Sequence, residues 1–172
     1  GTSGGALDSV GLFRWNRADG SIDEIVRTGD VAVDGLGLFV GFDDLAYNNK
    51  GQLAFFADMH NGNFSYKAIY FYDKSTGVIP VTWTGQSIGG GTISNLFFRS
   101  GSQGEGMQRS GLSARGHVAF SYWSGGYGGV ALWTPPFPLN FTPPKPSFAI
   151  NGNNAELTIP TESGLDYQLQ RY

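Results

Sequence analysis

The chain has 172 residues with a net charge of −3, is 15% aromatic and only 15% charged, and holds 27 glycines but no cysteine. Few charges beside many aromatics exclude a disordered chain, and glycine without a three-residue period excludes collagen. The lack of cysteine excludes disulfides, thiol catalysis and Cys-based zinc sites, while the absence of any basic run argues against a nucleic-acid partner.

No apolar run approaches the roughly 18 residues of a membrane-spanning helix, so no transmembrane segment is expected. The chain opens at Gly1 rather than Met and reads as a mature form or as part of a longer protein. Helical periodicity is nearly missing, and short strand-like runs between turn residues fill the sequence. Residues 11–15 (GLFRW) precede a turn at Ala18, Asp19 and Gly20. Residues 21–27 alternate and close at Thr28-Gly29-Asp30, and residues 36–42 are apolar with glycine between.

Next comes an octet, Asn48-Asn49-Lys50-Gly51-Gln52-Leu53-Ala54-Phe55, of the form N-x-x-G-x-x-A-F. Asn nucleates the turn by bonding the backbone two residues on, and Gly supplies a positive φ. In the strand that follows, Leu53 and Phe55 share one face and Ala54 the other. The small residue lets a neighbouring sheet come close while the large pair fills the core.

Residues 68–72 (AIYFY) form the next expected strand, then a turn at 73–77, a strand at 78–83 and Thr84-Gly85-Gln86. Gly89-Gly90-Gly91 precedes a strand at 92–99. This glycine run lacks the G-K-[ST] ending of a phosphate-binding loop. After a polar loop at 100–110, Ser113-Ala114-Arg115-Gly116-His117-Val118-Ala119-Phe120 repeats the octet with Ser in place of Asn. Strands at 118–123 and 130–133 follow. The runs 11–15, 68–72 and 129–133 align, each with a small residue first and an aromatic fifth. Together with the two T-G turns and the two octets, they set a unit of about 60 residues. On this alignment Trp15, Tyr72 and Trp133 are structural.

Pro135, Pro136, Pro138, Pro143, Pro144 and Pro146 mark a stiff linker. Beyond it, residues 155–160 and 165–172 are expected to form a hairpin about residues 161–164. The expected organisation is a tandem β-repeat domain at 1–134, a linker at 135–146 and a C-terminal hairpin module at 147–172.

The two octets, the small-first aromatic strand and the T-G turn resemble bacterial tandem-repeat surface proteins named for the N-x-x-G-x-x-A-F motif, of the choice-of-anchor type. Asn48, Gly51, Ala54 and Phe55 match every fixed place, and Ser113 is the departure in the second copy. The resemblance implies propeller-like repeats and a secreted or bacterial cell-surface location, and carries no biochemical activity. A closed propeller needs about four to eight blades. These units would therefore form an incomplete propeller or an open sandwich, or associate with further copies to cover exposed edges.

Candidate chemistry is sparse. Asp43, Asp44 and Asp58, with His60 and Asn61 after the last, make an oxygen-rich set that could hold Ca²⁺, although no dedicated D-x-D-x-D-G loop is present. No other cofactor is implied. His60 and His117 lack a G-x-S-x-G nucleophile elbow. Carboxylate pairs for glycoside hydrolysis could be drawn from Asp23, Glu24, Asp43, Asp44 and Asp58. Trp83, Tyr122, Trp123 and Tyr127 lie at strand ends or beside glycine-rich loops, where exposed rings could stack on sugars; such rings equally fill cores and line sheet edges.

The sequence thus predicts an all-β, propeller-like, non-enzymatic extracellular or cell-surface protein that works as a structural or assembly component, as a homo-oligomer or filament. The other two readings are a carbohydrate-binding module that uses those four aromatics on a polysaccharide, and a secreted polysaccharide-degrading enzyme.

Overall fold

The computed structural model describes residues 10–32, 35–100, 110–136, 147–151 and 154–158. All of the regular structure there is β. The strands are β1 (Gly11–Trp15), β2 (Ile22–Arg27), β3 (Leu38–Tyr47), β4 (Leu53–His60), β5 (Ser65–Asp73), β6 (Gly77–Trp83), β7 (Ser87–Ile88), β8 (Gly91–Phe97), β9 (Val118–Ser124), β10 (Tyr127–Trp133), β11 (Ser147–Asn151) and β12 (Asn154–Thr158). The chain divides into two compact units, Gly1–Thr134 and Pro135–Tyr172.

In the first unit β1 and β2 form a two-stranded sheet, β3 to β6 a four-stranded meander, and β7 to β10 a second four-stranded sheet in chain order. Every pairing is antiparallel. The meander is the middle layer, and β4 is buried along nearly its whole length. On one face Leu53, Phe55, Ala57 and Met59 join Phe39, Ala68, Tyr70 and Val26 in a single core cluster, with Leu12 and Ile25 packed against it. The two-stranded sheet therefore covers this face.

On the opposite face Ala54, Phe56, Ile69 and Phe71 are also buried, and the Phe71 ring lies 5.2 Å from Trp133. Trp133 sits opposite Val118 and Ala131 opposite Phe120, so these four share the face that β9 and β10 turn toward the meander. Burial on both faces explains why β4 reads as a continuous apolar run rather than an alternating one. Each large side chain so removed from water contributes about 1.5–3 kcal/mol.

The two octets fold into the same turn. In the first, Asn48 Oδ1 accepts from the amides of Lys50 at 3.0 Å and Gln52 at 3.2 Å. In the second, Ser113 Oγ accepts from the amides of Arg115 at 3.2 Å and His117 at 3.0 Å. The backbone bonds also match, Gly51 to Asn48 and Gly116 to Ser113 both at 3.0 Å. Serine thus does asparagine's work toward the backbone. Ala54 is fully buried, as its small size led one to expect, but Ala119 is exposed because the outer face of β9 carries no sheet among the described residues.

The two T-G turns agree in the same way. Thr28 Oγ1 accepts from the Val10 amide and Thr84 Oγ1 from the Lys67 amide, both at 3.1 Å. Gly29 donates to Phe39 O and Gly85 to Ile93 O, both at 2.8 Å, with φ values of 93° and 100°.

Gly37 is the glycine least open to change. Its φ is 110°, and an added Cβ would run into the His60 carbonyl and come within 2.9 Å of Asn61 Cα. Backbone cannot swing aside as a side chain can. Gly37→Ala is expected to cost more than about 2 kcal/mol, whereas Gly20→Ala, with φ 73° and open space around it, costs about 1 kcal/mol. Urea midpoints of the two variants check the difference.

In the second unit β11 pairs with β12, with Phe148 opposite Leu157. The expected strand at 155–160 is thus present in part, and among the described residues it pairs with the preceding segment. In the sequence the two residues between the paired Asn151 and Asn154 are Gly and Asn, a pair that suits a two-residue hairpin connection. The expected partner at 165–172, and residues 137–146 of the expected linker, lie outside the described residues.

Candidate functional site: two uncovered sheet faces and a polar junction

The middle layer is covered on both sides, but among the described residues the outer layers each leave one face open. On β9 and β10 the outward positions are Ala119, Ser121, Trp123, Gly128, Val130 and Leu132, paired in register, with Phe97 of β8 beside Ser121. Val130 is 81% exposed and Leu132 64%. Phe97, Trp123 and Val130 border a shallow groove on this face. On the two-stranded sheet the outward set is Phe13, Trp15 and Ile22, with Phe13 55% and Trp15 65% exposed. Trp15 was expected to be structural like Trp133, yet it lies open because no strand packs over the outer face of β1 among the described residues.

The free edge of β1 borders a cavity of about 710 Å³ lined by Phe13, Trp15, Leu45, Tyr47, Gly51 and Gln52 among others. Each exposed ring alone would be unremarkable. Clusters of this kind at both ends of a layered β unit go beyond scattered single exposure and are candidate contact surfaces.

The four candidate sugar-stacking rings do not come together. Trp83 packs against the core cluster between the first two layers. Trp123 belongs to the outer face just described. Tyr122 and Tyr127 line a cavity of about 420 Å³ with Gly89, Gly90 and Ser124, between the tight turns of two hairpins. Ser124 is buried and its Oγ has no partner among the described residues. Tyr122 also lies over Gly129, where an added Cβ would strike its ring, which explains a glycine at that place.

The acidic candidates are also dispersed. Asp58 pairs with Lys67 at 2.7 Å. Asp43 and Asp44 are exposed on β3. No group of three His, Cys, Asp or Glu side chains is placed to hold a metal ion among the described residues. Asp23 is ion-paired to Arg14, which holds the guanidinium pKa above its ordinary value. His60 Nδ1 lies 3.4 Å from Ser65 Oγ, and His117 sits half-buried after the second octet turn.

A polar junction joins the two octets, and beyond the motif itself no residue pattern points to it. Asn48 Nδ2 donates to Ser113 O at 2.9 Å and to Gln52 Oε1 at 2.7 Å. The buried Gln52 donates through Nε2 to Asp73 Oδ2 at 3.0 Å. A Cβ on Gly116 would come within 2.8 Å of Gln52 Oε1, so that glycine lets the two turns meet.

Burial works to raise the Asp73 pKa. Bonds from the Ser75 hydroxyl and amide and from Gln52 outweigh it and hold the carboxyl below its ordinary value. A depressed carboxylate adds stability that is full above the unfolded value near 4 and is lost as pH falls through the folded value. Acidification below about pH 4 should therefore destabilise the wild-type chain more than Asp73→Asn. Urea midpoints at neutral and acid pH test this, and equal acid losses in both would refute it.

No described helix is long and apolar enough to cross a membrane. These layers and surfaces define an all-β protein. A model for a family described as a family of unknown function, DUF7453, matches residues 1–134, and the chain belongs to that family. No curated protein and no solved structure matches it.

Proposed function

We propose that this chain is a non-enzymatic, extracellular or cell-surface component built from propeller-like β repeats, of the tandem-repeat kind the N-x-x-G-x-x-A-F octet suggests, and that it works by assembly. The observation that carries this reading is the pair of apolar faces left open at the two ends of a layered unit. The repeat reading draws on the matched turns. On it, β3, β4, β5 and β6 are the four strands of one blade-like sheet. β8, β9 and β10 stand for the first three strands of the next, and β1 and β2 for the last two of the one before.

Static light scattering over a concentration series tests the assembly reading. A mass that rises with concentration is the expected result, and the mass of one chain throughout would count against it. A second reading, carbohydrate binding, is favoured by the cavity that holds Tyr122 and Tyr127 beside an unpartnered Ser124 hydroxyl. Aromatic rings beside a hydroxyl offer a sugar both an apolar face and a hydrogen-bond partner. Polysaccharide panels should then protect Tyr127 from chemical modification, and unchanged modification across a broad panel would remove this reading.

A further inference from the structure

The open faces are not merely apolar; they occupy the places of the two partners in an interface the molecule already contains. On the repeat alignment, Leu132 stands where Phe71 stands and Val130 where Ile69 stands. Phe71 and Ile69 are buried under the sheet of β9 and β10. Trp15 stands where Trp133 and Tyr72 stand, Phe13 where Tyr70 stands, and Ile22 where Val78 stands. Tyr70, Tyr72 and Val78 belong to or pack on the core cluster beneath the two-stranded sheet. Trp133 meets Phe71 across the layer boundary.

The outer face of β9 and β10 is therefore the kind of surface that a following layer covers. The outer face of β1 and β2 is the kind that packs on a preceding layer. The first carries no charged side chain at Val130, Leu132, Trp123 or Phe97. On the second, among the described residues, Glu24 and Arg27 face each other at 3.6 Å, so their charges largely offset.

We infer that a second copy of this chain docks head to tail, its Phe13, Trp15 and Ile22 face on the Trp123, Val130 and Leu132 face of the first. Trp15 of one copy meets Leu132 of the next, as Trp133 meets Phe71 within one chain. This deepens the assembly reading and rests on it. The contact is heterologous, so copies added in the same sense close a ring if the rotation allows and otherwise extend as a filament.

The test uses Trp15→Glu and Leu132→Glu, with Phe13→Glu and Val130→Glu as second choices on the same faces. All four positions are exposed, so the variants should fold, and circular dichroism and urea midpoints verify it. Sedimentation velocity is then run on the wild-type chain, on each variant, and on a mixture of one variant from each face. The expected result is wild-type oligomers, monomeric single variants and a mixture that forms dimers and goes no further, because each partner keeps one competent face.

Single variants that form homodimers would mean that like faces pair. Variants that associate as the wild type does would move the contact elsewhere, and a mixture that stays monomeric would deny complementarity. Each of these overturns the head-to-tail arrangement while leaving assembly standing. A wild-type chain that is monomeric at every concentration overturns both.

Discussion

Phe55→Ala is expected to lower the stability of the first unit by about 3–5 kcal/mol. Phe55 is fully buried, and its ring lies 6.4 Å from Phe39, 5.8 Å from Phe42 and 5.7 Å from Tyr70. Truncation removes the transfer energy of the ring and leaves a void that three neighbouring rings fixed on β3 and β5 cannot close. The matching change at the second octet, Phe120→Ala, costs less. Phe120 lies in an outer layer, has Tyr122 as its one aromatic ring neighbour among the described residues, at 6.4 Å, and is slightly less buried, so side-chain relaxation refills part of the space. Urea unfolding followed by tryptophan fluorescence gives both values. Equal losses would mean that the middle layer is not the centre of the fold.

The second large effect lies at the junction. Gln52→Leu keeps the volume but withdraws an acceptor from Asn48 Nδ2 and a donor from Asp73 Oδ2. Asn48 and Asp73 are only half-buried, so each group left short of a partner costs about 1 kcal/mol, the low end for unsatisfied polar groups. A loss of about 1–2 kcal/mol is expected, since Asn48 keeps its bond to Ser113 O and Asp73 keeps Ser75. The effect should be non-additive with Asp73→Ala, because the two share one hydrogen bond. A double-mutant cycle showing additivity within about 0.5 kcal/mol would mean that the network contributes through packing alone.

The strands were legible in the sequence because turn residues punctuate them at every step. Thr28-Gly29 and Thr84-Gly85 announced two turns that form with the same bonds, and the octets did likewise even where serine replaced asparagine. Covering was not legible. Alternation shows that Leu53 and Phe55 share a face, but not whether the other face meets a sheet or solvent. Ala54 and Ala119 occupy the same motif place, yet one is sealed and the other open. Trp15 and Trp133 share a strand position and differ for the same reason, since the layer that would cover one belongs to a different part of the chain from the layer that covers the other.

The site was less legible than the fold. Tyr122 and Tyr127 share a cavity, but Trp123 and Trp83 lie apart from it, because neighbours along β9 point to opposite faces and Trp83 ends a strand of the middle layer. Phe13, Ile22, Phe97, Val130 and Leu132, which carry the proposed contact, looked like ordinary strand residues. The one available signal was their alternate spacing on the first and last strands of the aligned units. Gln52 hid in a variable place of the octet, where only the approach of the second turn gives its amide a role.

Disulfide trapping tests the proposed contact most directly, because the natural chain has no cysteine to compete. Trp15→Cys and Leu132→Cys are prepared separately, mixed and oxidised under mild conditions. Head-to-tail docking predicts a covalent dimer that contains one chain of each variant, formed faster than either variant dimerises alone. Dimers of like variants only, or no cross-link between the two at concentrations where the wild type associates, would contradict it.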